Sequence, residues 1–132
     1  MKTLFAIGAA LAMAASTTAM AASGSYTGNW PLTITKSLFM NGTYCLTVTD
    51  DGSEGWPHSG EATVPQYEYG VFQVIRGKFM ADIVEPAGGQ NDTMLFTSAG
   101  RNGTFGDGAV QLLAGGEPLD SGNMTVGKRG GC

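Results

Sequence analysis

The stretch Thr43-Tyr44-Cys45-Leu46-Thr47-Val48-Thr49 decides the fold. Successive side chains of an extended chain point to opposite faces, so Tyr44, Leu46 and Val48 share one side and Thr43, Thr47 and Thr49 the other. Apolar residues alternating with β-branched polar ones are the signature of a half-buried strand. Working outward, Leu32 and Ile34 alternate with Thr33 and Thr35 in the same way. Further short runs follow at 61–64, 71–76, 78–85, 93–98, 109–113 and 123–128. No stretch after Tyr26 sustains the i, i+3, i+4, i+7 apolar stripe of a helix over three turns. Glycine, 21 of 132 residues, interrupts nearly every window.

The connections carry turn chemistry. Asn41-Gly42, Asp51-Gly52, Asn102-Gly103 and Asp107-Gly108 are pairs suited to positive φ, the preference of tight hairpins. Gly77 separates two runs so closely that a tight turn or bulge is implied. Gly88-Gly89 and Gly115-Gly116 mark longer loops. About eight short strands joined by local turns predict an all-β antiparallel meander, closing as an up-and-down β-barrel, with a β-sandwich as the alternative. The absence of a long crossover and the removal of exposed edges on closure favour the barrel.

Length and composition bound the rest. Met1-Lys2-Thr3, an Ala-rich apolar stretch at 4–15 and Ala19-Met20-Ala21 are the three parts of a secretory signal peptide. Residues 1–21 are therefore expected to be a leader, and 22–132 a single domain. The apolar run is short of the ~20 residues that span a bilayer, and no cysteine follows the cleavage site to accept a lipid. Neither a membrane anchor nor a second spanning run is expected. The Ala-rich leader looks bacterial and points to the periplasm or the medium. Loss of Lys2 leaves six basic against eleven acidic residues, a net charge of −5. That balance disfavours nucleic acid as a partner, and Lys128-Arg129 is too small a basic cluster to reverse it. In an oxidising compartment Cys45 and Cys132 are most simply one disulfide.

The chemistry-bearing residues are few. The one histidine, His58, lies in Trp56-Pro57-His58-Ser59, but adjacent Ser59 points the other way on an extended chain, and no G-x-S-x-G elbow exists. Usual zinc sites lack ligands. Asp50-Asp51-Gly52-Ser53-Glu54 is oxygen-rich without EF-hand spacing, so no calcium and no other metal or cofactor is expected. Asp50, Asp51, Glu54, Asp92, Asp107, Glu117 and Asp120 fall in expected turns. Asp82 stands within the apolar run 79–84, read as an outward position with a buried, raised-pKa carboxyl as the alternative. Four N-x-Thr triplets begin at Asn41, Asn91, Asn102 and Asn123, and turn residues opening strands account for them. Trp30 is expected in the core. Trp56, His58, Tyr67 and Tyr69 are the candidate ligand-binding rim, since rings at a barrel mouth close over an apolar ligand or stack on a sugar.

Thr27-Gly28-Asn29-Trp30, followed by a meander, resembles the opening of calycin proteins, the lipocalin and avidin group. The resemblance implies an eight-stranded barrel with Trp30 closing one end and a central cavity. The residues of an avidin-type biotin site are absent, so biotin binding does not carry over. The wider pattern also looks like those of small exported bacterial proteins. The expected function is a non-enzymatic exported binding module holding an apolar or sugar-like small molecule. The alternative is an interaction or inhibitor protein of the envelope using the acidic, Gly-rich loop 50–58. A hydrolase built around His58 or Asp82 is the third reading.

Overall fold

The computed structural model describes residues 24–65, 67, 69–84 and 92–132. The signal-peptide expectation for 1–21 and the Gly88-Gly89 loop lie outside the described residues. Eight antiparallel strands form a closed barrel in sequence order. They are β1 (Gly28–Thr35), β2 (Gly42–Asp50), β3 (Ser59–Thr63), β4 (Tyr69–Ile75), β5 (Lys78–Val84), β6 (Asp92–Arg101), β7 (Thr104–Ala114) and β8 (Glu117–Val126). The meander closes through β1 against β8, where Leu32 pairs with Val126 and Thr35 with Asn123.

Alternation sets what faces in. Trp30, Leu32 and Ile34 of β1 and Leu46 and Val48 of β2 are buried, while the intervening threonines 33, 35, 47 and 49 are exposed. The polar partners of these two strands therefore make a wet exterior rather than a lumen. The interior is filled by apolar side chains, with Leu32, Leu46, Phe79, Ile83 and Phe96 all completely buried.

One end of the barrel is closed by an aromatic stack. Phe79 lies parallel to Phe105 at a centroid distance of 4.0 Å, and Phe72 stacks on Phe79 at 5.6 Å. Trp30 meets Phe105 at 4.6 Å. The Trp30 indole N–H donates to the Tyr26 carbonyl at 3.0 Å, and the Arg129 guanidinium covers its ring at 4.6 Å. Burial is the main cause raising the Tyr26 phenol above its ordinary value; a backbone hydrogen bond from Gly103 partly offsets it, and the nearby Asp50 charge adds to it.

Turn chemistry is partly as the sequence reads. Asn102-Gly103 (φ 52° and 80°) and Arg76-Gly77 (53° and 78°) are two-residue hairpin turns with both central residues at positive φ. Gly115-Gly116 (61° and 87°) is a third, a tight turn where the sequence suggests a longer loop. Asp107-Gly108 is not a turn. Gly108 sits within β7, paired with Ser98 and Met124, because a Cβ there would occupy the place of the Thr97 carbonyl oxygen. Glycine here permits close approach of backbones. β7 accordingly runs well beyond the expected 109–113, and β8 spans 117–126 rather than 123–128, which puts Asn123 well inside a strand rather than at a turn.

The acids expected in turns mostly hold backbone instead. Asp107 accepts the Val126 N–H at 2.9 Å. Asp50, the last residue of β2, accepts the Tyr26 N–H at 2.9 Å. Asp120, on β8, reaches the β1–β2 connection and accepts the N–H groups of Leu38 and Phe39 at 3.0 and 2.8 Å. Its carboxyl feels a raising effect of desolvation, but the hydrogen bonds from Leu38, Phe39 and Ser121 outweigh it and lower the pKa. A depressed folded-state pKa means this tether is complete above the ordinary aspartate value and is lost as pH falls through the lowered one. Asp120→Ala at neutral pH, and acid in the wild type, should therefore release the same segment. The downfield amide-proton shifts of Leu38 and Phe39 are expected to collapse in both cases. Unchanged shifts in the variant would show that the connection holds itself.

The pair Cys45–Cys132 is a disulfide with Cα atoms 5.8 Å apart. It fixes the chain after β8 against the outer side of β1 and β2. Hydrogen bonds from Gly127 N–H to the Pro31 carbonyl (2.8 Å) and Gly130 N–H to the Asn29 carbonyl (2.7 Å) continue that attachment.

Candidate functional site

The four aromatic and histidine candidates do not converge. Trp56 and His58 precede β3 and Tyr67 and Tyr69 follow it, so a five-residue strand separates the pairs at opposite ends of the barrel. Tyr67 packs half-buried against the core, whereas Tyr69 projects outward and is 59% exposed. They do not share a face, because β4 begins only at Tyr69.

His58 is engaged in architecture. Its Nδ1 lies 3.0 Å from Asp50 Oδ2, and its ring meets Tyr26 edge-on at 5.4 Å. A carboxylate–imidazole pair is two-thirds of a hydrolytic triad. The adjacent hydroxyl does not complete it: Ser59 Oγ donates to the carbonyls of Ser53 and Trp56. The same Asp50 oxygen that meets His58 also holds the Tyr26 amide, so the pair ties the N-terminal segment to the β2–β3 connection. In that connection Asp51 accepts the Ser53 N–H at 3.0 Å, closing a short turn. Among the described residues no three His, Cys, Asp or Glu side chains gather as metal ligands would.

Among the described residues, concave features lie on the outside of the wall: one of about 480 Å³ opens beside Leu38, Leu119 and Asp120, and another takes in a residue of the expected rim. This second cavity, of about 260 Å³, opens between the short 3-10 turn Ser53–Gly55 with Trp56 above and the outer faces of β4, β5 and β6 below. Its floor is Val71 and Gln73 from β4, Met80 and Asp82 from β5, and Leu95 from β6. Strand register explains the assembly. Val71 pairs with Asp82 and Asp82 with Leu95, so these three stand in one row around the wall. Gln73 and Met80 pair in the next row. Glu61 of β3 extends the first row beyond Val71.

Asp82 is the chemically unusual member. It faces outward, as the alternation of its strand predicts. Yet apolar side chains flank it on both neighbouring strands, and desolvation raises its pKa above the ordinary aspartate value. Among the described residues its carboxylate has no Lys, Arg or His nitrogen within salt-bridge distance; the one such contact among them is His58 Nδ1 to Asp50. Trp56, 47% exposed, supplies an aromatic wall to the same cavity.

Of the expected rim, only Trp56 lines this groove. Val71, Gln73, Met80, Leu95 and Asp82 come from strands read for their inward positions. A signal for them is nevertheless present in the sequence. On β1 and β2 the outward residues are mostly threonine, whereas 79–84 and 93–96 are nearly continuous apolar runs. A run apolar on both faces marks a strand covered, or coverable, from outside as well as from the core.

A second apolar patch lies at the other end, where Leu38 (79% exposed), Phe39 (66%) and Leu119 (49%) project. Leu119 is the extra residue of a bulge, since Leu112 pairs with Asp120 and Leu113 with Pro118. No protein-family model, curated protein or solved structure matches this chain.

Proposed function

We propose that this chain is a non-enzymatic binding module of the bacterial periplasm or exterior, and that it engages a partner protein on the outer wall of its barrel. The observation that carries this reading is the groove roofed by Trp56 beside an interior already filled with side chains. Pockets that enclose small organic ligands run from roughly 300 to 1,000 Å³ and bury most of the ligand. A groove of about 260 Å³ on an open wall suits one protruding side chain of a larger partner better. Exposed aromatic residues beside apolar floors are also what anchors protein interfaces. The compartment is part of the proposal, and the disulfide supports it, since such bonds persist where the surroundings oxidise. The likeness of Gly28-Asn29-Trp30 to the calycin opening stands on the same footing, supported by the closed eight-strand meander.

A photo-reactive amino acid placed at position 53, which lines the groove and leaves Trp56 in place, and in a second variant at position 33 on the threonine-coated wall, tests the reading in cells producing the full chain. A discrete protein adduct from position 53, absent from position 33, is the expected result. Equal labelling from both positions overturns it. So does a native mass spectrum in which the recovered protein carries an organic ligand lost on denaturation, which restores the small-molecule carrier.

A further inference from the structure

The floor of the groove combines an apolar surface with one carboxylate that nothing in the described chain neutralises. Its immediate neighbours are Val71 and Leu95 across the ladder and Met80 and Val84 along its own strand, two residues to either side. Among the described residues the register places charges on the same face at Glu61, one strand beyond Val71, which adds to the negative potential, and at Lys78, four residues along β5 and forming no ion pair. Asp82 is exposed at its outer edge, but the apolar side chains on both sides remove part of its solvation, and the arrival of a cation offsets that cost. The cation best suited also brings an aliphatic stem to cover Val71, Met80 and Leu95, and a flat charged head for the Trp56 ring. The guanidinium of arginine has both, and forks onto a carboxylate through two parallel hydrogen bonds.

We propose that the groove beneath Trp56 is the receptor for an arginine side chain of the partner protein, its stem on Met80 and Leu95, its guanidinium on Asp82 and against the Trp56 indole. This deepens the proposed function and rests on it, since the arginine is presented by the partner that docks on this wall. The amide of Gln73 stands beside the site as a further acceptor. The negative balance of the chain favours approach of a basic segment.

The test is an NMR titration of the disulfide-bonded protein with N-acetyl-arginine methylamide, read at the Trp56 indole N–H and the Met80 methyl. Citrulline, in the same blocked form, keeps the shape and removes the charge. Arginine is expected to shift both signals saturably, and citrulline to bind about tenfold or more weakly, the worth of a hydrogen bond to a charged group. Asp82→Asn should lower arginine affinity by a similar factor, and Trp56→Ala by about fivefold. The raised folded-state pKa of Asp82 means that stability falls as pH rises from the ordinary aspartate value to the raised one and is level above it, so Asp82→Asn should unfold at an equal or higher temperature at pH 7. Equal binding of citrulline and arginine, no shift with either, or undiminished arginine binding by Asp82→Asn overturns the arginine assignment. If the position-53 adduct meanwhile persists in the Asp82→Asn background, the binding wall survives and only its ligand chemistry is wrong. Loss of any protein adduct in the wild-type background would instead remove the wall itself.

Discussion

Truncating Phe79 to alanine should cost the barrel about 3–5 kcal/mol, the range for deleting a buried aromatic ring. Phe79 is the centre of the stack that closes one end, parallel to Phe105 and against Phe72 and Tyr26. Three rings would lose their partner at once, and the surrounding strands have little freedom to collapse. At Gly100, for instance, a Cβ would already lie 3.0 Å from the Phe79 Cβ, and the Gly100 N–H donates to the Gly77 carbonyl at 3.0 Å. Stabilities of 5–15 kcal/mol make this a large fraction of the whole. Urea unfolding followed by circular dichroism measures it, with Trp56→Ala as the comparison. The exposed indole should change stability by less than about 1 kcal/mol. A Phe79→Ala loss no larger than that of Trp56→Ala would mean that the barrel end is not the packed plug described above.

Opening the Cys45–Cys132 bridge is the second large effect. The bonded residues are 87 apart in sequence, and a loop of that length corresponds to about 4–5 kcal/mol of denatured-state constraint in the chain-entropy model. There is a native-state consequence too. The bridge holds the segment whose Arg129 donates to the carbonyls of Ser25 and Gly103 and covers the Trp30 ring. A Cys45→Ser/Cys132→Ser protein should therefore melt more than about 10 °C lower. In a Trp56→Phe background, where Trp30 is the remaining tryptophan, its emission should change as the guanidinium lifts away. A melting temperature unmoved by reduction would assign the closure of this end to the hydrogen bonds of the tail alone.

Much of the architecture was legible because strand alternation is a local property. The pattern of threonine against Leu32, Ile34, Leu46 and Val48 needs only neighbouring residues to be read, and those inward positions are the buried ones. Closed tight turns at Asn102-Gly103 and Arg76-Gly77 are local in the same sense. Gly108 misled because a glycine serves two physical purposes. It relieves positive φ in a turn or lets one backbone approach another, and only the neighbouring strand, carrying the Thr97 carbonyl, decides which. Asp107 and Asp120 misled for a related reason. Their backbone partners, Val126 and the Leu38–Phe39 pair, are 19 and some 80 residues away.

The candidate site divides along the same line. Trp56 was visible as an aromatic residue in a loop, and Asp82 as a carboxylate within an apolar run. That His58 turns inward to Asp50 depends on β2 and β3 lying side by side, as does the separation of Trp56 from Tyr67 and Tyr69 to opposite ends. The sequence by itself determined an antiparallel all-β chain, the inward set of its side chains and the two cysteines available for pairing, because these follow from period-two alternation and composition. Only the tertiary structure decided that the ladder closes on itself with a filled interior and that Val71, Asp82 and Leu95 stand in one row under Trp56. Register between strands is set by packing and turn length over the whole barrel, and no window of sequence contains it.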